Sequence, residues 1–266
     1  MGGETVRRVV QALPVIAFAI VIVVQGGIVW ALGLVALGIV CMRELYEMMR
    51  RARPIDIAGF LTLAALCLTA LYGEKKQLLL VLVLAFPLTF LLAVARPQRR
   101  NVAWGIAATF LGIAWIGLAM AHAVLLRELP HGGALVVDAL IATFIGDTAA
   151  YFGGRAWGRT PLAPNISPNK TVAGLFSGIV GGTVAFWLFG LGYQHEWFHG
   201  GDRLVIGLSV ALAAPVGDLF ESLIKRDLGV KDTGRIFGAH GGALDRLDAA
   251  LFSIVAAYYV SVAVLN

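Results

Sequence analysis

Leu78-Leu79-Leu80-Val81-Leu82-Val83-Leu84-Ala85-Phe86-Pro87-Leu88-Thr89-Phe90-Leu91-Leu92-Ala93-Val94 carries no charge, and Thr89 is its one hydroxyl. Backbone N–H and C=O groups in lipid must be paired within the segment that holds them, which a helix achieves over such a run. The rest of the chain agrees with that solvent. Of 266 residues, 59% are hydrophobic and 14% charged, where a soluble domain carries about 45–50% apolar and about 25% charged residues. Mean hydropathy is +0.84. A soluble or disordered protein is excluded. At roughly 20 residues per span, the length allows at most about ten transmembrane helices.

Apolar runs predict nine helices, at about 8–24, 28–49, 55–72, 77–95, 102–126, 133–154, 172–192, 204–224 and 246–264. Arg7-Arg8 before an apolar run also matches the opening of a signal peptide. Another apolar run follows rather than a secreted domain, so 8–24 is read as a retained helix. The expected fold is an all-α, polytopic integral membrane protein with about nine transmembrane helices. Cys41 and Cys67 lie in or beside apolar runs and offer neither a disulfide scaffold nor a metal cluster.

Alternating nine spans places 17 of the 21 Lys and Arg residues on the side of the N-terminus. The other side receives Lys75, Lys76, Arg127 and Arg203. By the positive-inside rule the N-terminus is cytoplasmic and the C-terminus lies on the opposite side. The net charge of +5 fits anionic headgroups or phosphate ligands, as well as ordinary topology charges.

Polar residues are unevenly spread. Residues 1–130 read as scaffold helices, with charges only at helix ends. Residues 131–266 hold two polar clusters on the cytoplasmic side. In the first, Asp147 sits in an otherwise apolar helix, where a carboxylate is costly unless paired, hydrated or bound to a cation. Ser167-Pro168-Asn169-Lys170-Thr171 then precedes a helix start. Pro168 biases Ser167 to an extended backbone, and the free N–H groups after Lys170 and Thr171 favour a phosphate. The glycine spacing of a P-loop is absent.

In the second cluster, Asp218 and Glu221 stand three apart on one helix face, which Ser222 and Lys225 extend. Asp245 and Asp248 repeat that spacing at the opening of the last helix, where acids also suit the dipole. Crowded carboxylates are one way to hold a divalent cation, and Mg2+ prefers one or two carboxylates plus substrate phosphates. Lys225, Arg226, Lys231 and Arg246 would then meet phosphate oxygens. His240, before two glycines, is either a ligand-approach residue or a structural hydrogen-bonding one. Three readings stay open on the residues alone. They are a Mg2+ site handling a phosphorylated lipid, a proton- or cation-coupled transporter, and an ion-paired loop that anchors topology.

The run Ser222-x-x-Lys225-Arg226-x-x-x-x-Lys231-Asp232-x-Gly234-x-x-Phe237-Gly238-x-His240-Gly241-Gly242-x-x-Asp245-Arg246-x-Asp248 closely resembles the signature of the phosphatidate cytidylyltransferases, or CDP-diglyceride synthetases. Asp147-Thr148-x-Ala150-Tyr151-x-x-Gly154, Ser167-Pro168-Asn169-Lys170-Thr171-x-x-Gly174 and Gly217-Asp218-x-x-Glu221-Ser222 are similar to other blocks of that family. Asn169 and Ala239 depart from it, standing where a lysine and a glycine are common. The resemblance covers residues 147–248; the N-terminal half is similar only in its helical, hydrophobic character.

The resemblance implies an enzyme that makes CDP-diacylglycerol and pyrophosphate from CTP and phosphatidic acid. It further implies Mg2+, a second, K+-like cation, contact with membrane lipids at the inner membrane, a homodimer, and no nucleic-acid partner. By the same resemblance, Asp218 and Asp245 are the expected metal ligands, with Asp248, Asp147 and Glu221 as acids of that site. Lys225, Arg226, Lys231 and Arg246 are expected to hold triphosphate or lipid phosphate, with His240 beside them. Lys170, Ser167 and Thr171 are expected to close the far side of the pocket. A polyprenol-type lipid kinase, with nucleotide, Mg2+ and basic residues at a membrane edge, is the rival enzyme.

Overall fold

The computed structural model describes residues 20–97, 100–191, 199–234 and 241–265. Eight long helices follow one another: α1 (Gly27–Met48), α2 (Asp56–Tyr72), α3 (Lys75–Val94), α4 (Val102–Glu128), α5 (Gly132–Trp157), α6 (Val172–Leu191), α7 (Gly200–Asp227) and α8 (Leu244–Leu265). Seven, all but the 17-residue α2, are long and apolar enough to cross a bilayer. The chain is thus a polytopic, almost wholly helical membrane protein. Among the described residues seven helices meet that length, against the nine predicted, with α2 the shorter apolar helix. The predicted 8–24 helix lies largely outside the described residues, which show it only as a helical end at 20–25.

That end is set off from α1 by Gly26, whose φ of +65° is open to glycine at little cost. A Cβ there would also stand 2.7 Å from the Arg127 guanidinium. Arg127 Nε donates to the Val23 carbonyl at 2.9 Å, tying the start of the chain to the α4–α5 turn. At the other end of the bundle, Arg96 donates to the Arg53 and Pro54 carbonyls at 2.8 and 2.6 Å. The α1–α2 and α3–α4 turns therefore share one end.

The hydrophobic core is continuous from α1 to α8, through Met42, Leu45, Leu66, Ile116, Leu135, Phe186, Ile206 and Leu244. It crosses residue 130 without a break. Trp30 Nε1 donates to the Ala123 carbonyl at 3.0 Å and the Tyr46 hydroxyl to the Thr109 carbonyl at 2.9 Å, so α1 and α4 satisfy buried polar groups on each other. α3 instead turns Leu79, Leu80, Val83, Leu84, Phe86 and Leu91 outward, as a helix apolar on all faces does in lipid.

Two features depart from the expected all-α fold. α4 contains a π-helical turn at Ile113–Gly117. Between α5 and α6 the chain forms an antiparallel hairpin, β1 (Pro161–Ala163) with β2 (Ser167–Thr171). Pro168 favours that extended path and, in a two-stranded ribbon, leaves no neighbour wanting its missing N–H. α5 and α6 then pack through small residues: a Cβ at Gly153 would lie 2.0 Å from Ser177 Oγ, and one at Gly182 3.0 Å from the Ala142 carbonyl.

Candidate active site

α7 runs past its predicted end at 224 to Asp227. Asp218, Glu221 and Lys225 thus lie on one continuous helical face. α8 begins at Leu244 rather than 246, which puts Asp245 in its first turn and Asp248 one turn on. The two helices meet closely at Gly217, where a Cβ would stand 2.4 Å from the Asp248 carbonyl oxygen.

Lys225 ties the two faces together. Its ammonium pairs with Glu221 one turn below and with Asp245 Oδ1 at 2.9 Å. Asp245 also accepts from the Gly242 amide at 2.7 Å and the Thr233 amide at 3.0 Å. Glu221 is 1% exposed, and its Oε1 has no hydrogen-bond partner among the described residues. Asp248, also buried, lies within electrostatic reach of Glu221, Asp218 and Lys225. From the hairpin, Lys170 pairs with Asp218 at 2.6 Å. Asp147 on α5 interacts electrostatically with both and lines a narrow cleft with Gly146, Ala150, Gly178, Ala211 and Pro215.

The structure therefore brings Asp147, Lys170, Asp218, Glu221, Lys225, Asp245 and Asp248 to one end of the bundle. Other predicted ligand residues have different places. Thr171 Oγ1 accepts the Gly174 amide at 3.1 Å and so caps α6. Ser167 opens β2, at the strand's far end from Thr171. Arg226 Nε donates to the Ile166 carbonyl at 3.1 Å, holding the hairpin against α7. Lys231 and Arg246 are exposed. His240 lies outside the described residues.

Among the described residues no three of His, Cys, Asp or Glu gather as a ready metal set. Like charges this buried need counter-charges, and the lysines interleave: Lys170 against Asp218, Lys225 between Glu221 and Asp245. The donor set is nevertheless all oxygen, with the Glu221 Oε1 unpartnered. That chemistry fits a hard cation that takes its remaining ligands from phosphate.

Sequence reasoning passed over Glu44. This α1 carboxylate, 6% exposed, accepts the Ala243 amide at 3.0 Å, the Leu244 amide at 2.9 Å and the Thr233 hydroxyl at 3.2 Å. Its only signal was an acid near the end of an apolar run, beside Arg43 and three residues before Glu47, and helix-end acids are common.

Fold and site together define a polytopic membrane protein with acids and lysines joined at one end of its helix bundle. The pattern of the Cytidylyltransferase family matches residues 6–264, and the chain belongs to that family. It is 27% identical to the phosphatidate cytidylyltransferase of Staphylococcus epidermidis over 252 residues, which is 92% of this chain and 94% of the relative. Similarity is higher but shorter to the phosphatidate cytidylyltransferases of Mycobacterium leprae (37% over 168 residues) and Helicobacter pylori (40% over 121 residues). Those matches cover 62% and 46% of this chain, and it spans about half the length of these two relatives, 53% and 44%.

Proposed function

We propose that the chain is a nucleotidyltransferase forming CDP-diacylglycerol and pyrophosphate from CTP and phosphatidic acid. The observation that carries this reading is the meeting of Lys170 and Lys225 with five carboxylates, from β2, α5, α7 and α8, at one end of a lipid-embedded bundle. Family membership and three relatives named for that activity support it.

A phosphate oxygen of phosphatidic acid would attack the α-phosphorus of CTP. The bond to the α,β-bridging oxygen would break, and pyrophosphate would leave with that electron pair. The attacking phosphate is already anionic, so the residues have mainly to orient two anions and neutralise charge. Lys170 supplies positive charge from the hairpin and Lys225 from α7. Asp218, Asp245, Asp248 and the free oxygen of Glu221 would hold Mg2+, which when bound neutralises triphosphate charge.

The 17-to-4 sorting of basic residues supports a site on the cytoplasmic face and a cytoplasmic N-terminus. There CTP arrives from water and the lipid from the side. The test uses purified protein, phosphatidic acid, Mg2+ and CTP labelled at the α- or the γ-phosphate. Label from the α-position should appear in a liponucleotide. Transfer of the γ-label to lipid would instead establish a lipid kinase. Ion flux across sealed vesicles without CTP consumption would establish a transporter.

A further inference from the structure

Thr233 and Gly242 both lie in the connection between α7 and α8, and two carboxylates divide the hydrogen bonds made there. On one side, Asp245 takes the Thr233 and Gly242 amides. On the other, Glu44 takes the Thr233 hydroxyl and the next two amides, Ala243 and Leu244. The backbone has been cleared for this contact: a Cβ at Gly234 would stand 2.4 Å from Glu44 Oε1, and one at Gly242 2.4 Å from Oε2. A buried carboxylate in a membrane-length helix is costly unless fully bonded, and here its bonds among the described residues go to Thr233 and to the two residues after Gly242.

We propose that Glu44 is a positioning residue for Asp245, clamping from behind the two backbone points whose amides fix that carboxylate in the site. This rests on the nucleotidyltransferase reading for its catalytic consequence, but the clamp itself is a structural statement. In Glu44→Gln one oxygen becomes an NH2 group, so a donor is left facing a donor.

The test measures two things on the full-length protein in detergent. Hydrogen exchange, which needs no substrate, should show protection at amides 242–245 falling about tenfold in Glu44→Gln, while the α3 amides are unchanged. In turnover, the half-saturating CTP concentration should rise about tenfold while that for phosphatidic acid stays within about twofold. Loss of folded protein would lower the maximal rate and leave both concentrations unmoved. Thr233→Val, which removes only the hydroxyl donor, should shift both readouts the same way by about threefold. It decides the matter if Glu44→Gln does not accumulate. Unchanged protection and unchanged half-saturating CTP overturn the clamp. Reduced protection in Glu44→Gln, where the wild-type protein makes no liponucleotide, upholds the clamp and overturns the function instead.

Discussion

Lys225 stands between two acids that would otherwise repel each other, with its own side chain 16% exposed and those of Glu221 and Asp245 1% and 12%. Removing one member of such a buried set leaves charge uncompensated, at about 3–5 kcal/mol. Lys225→Ala should therefore lower the thermal unfolding midpoint by about 6–20 °C and raise the CTP or phosphatidate requirement of the surviving enzyme. Unchanged kinetics for both substrates would make the lysine purely structural. Asp218 is different, since its pair with Lys170 joins a strand to a helix at the more open side of the cluster. Asp218→Ala should abolish transfer while the protein still inserts and purifies as a folded species. Normal turnover would remove Asp218 from the site.

At the scale of elements, close approach is set by glycines, and the seam between α7 and α8 is the one that matters for the site. A Cβ at Gly217 would meet backbone, the Asp248 carbonyl at 2.4 Å, and backbone cannot swing aside. Gly217→Ala should push the helices apart beside Asp218 and Asp248. The expected result is loss of most transfer and a stability cost of about 1–3 kcal/mol. Gly201→Ala, in the first turn of the same helix with nothing within 4 Å, should leave both near wild type. The helices themselves were legible because uncharged runs in lipid have few alternatives, and the acids because i, i+3 spacing reports a shared face. The hairpin was not: Ser-Pro-Asn-Lys-Thr lacks the apolar alternation that marks a strand. Nor could local spacing show that Lys170 would meet Asp218, or that α8 starts early. Glu44 bonds the first amides of α8 from 199 and 200 residues away, a contact with no local pattern.

For the whole molecule, the ends of the bundle constrain topology more tightly than helix length does. α2, at 17 residues, is about 25 Å long against a hydrocarbon core of about 30 Å, and by length alone would not cross. Yet Arg96 ties the α3–α4 turn to the α1–α2 turn, so α2 and α3 leave from one end and return to it. Since α3 is long enough to cross, α2 must reach the same far surface, carrying the α2–α3 turn with it. Lys76, exposed at the start of α3 beside that turn, is then separated from Lys231 by five crossings and from Arg159 by three. Arg159 and Lys231 are separated by two. Both native cysteines, Cys41 and Cys67, are fully buried, so background labelling by an impermeant maleimide should be low. Lys76→Cys should label from the outside of intact cells, and Arg159→Cys and Lys231→Cys only in inverted membrane vesicles. Labelling of Lys76→Cys and Lys231→Cys from the same side would mean that α2 and α3 dip into the membrane and return. It would also remove the charge sorting on which the cytoplasmic placement of the site rests.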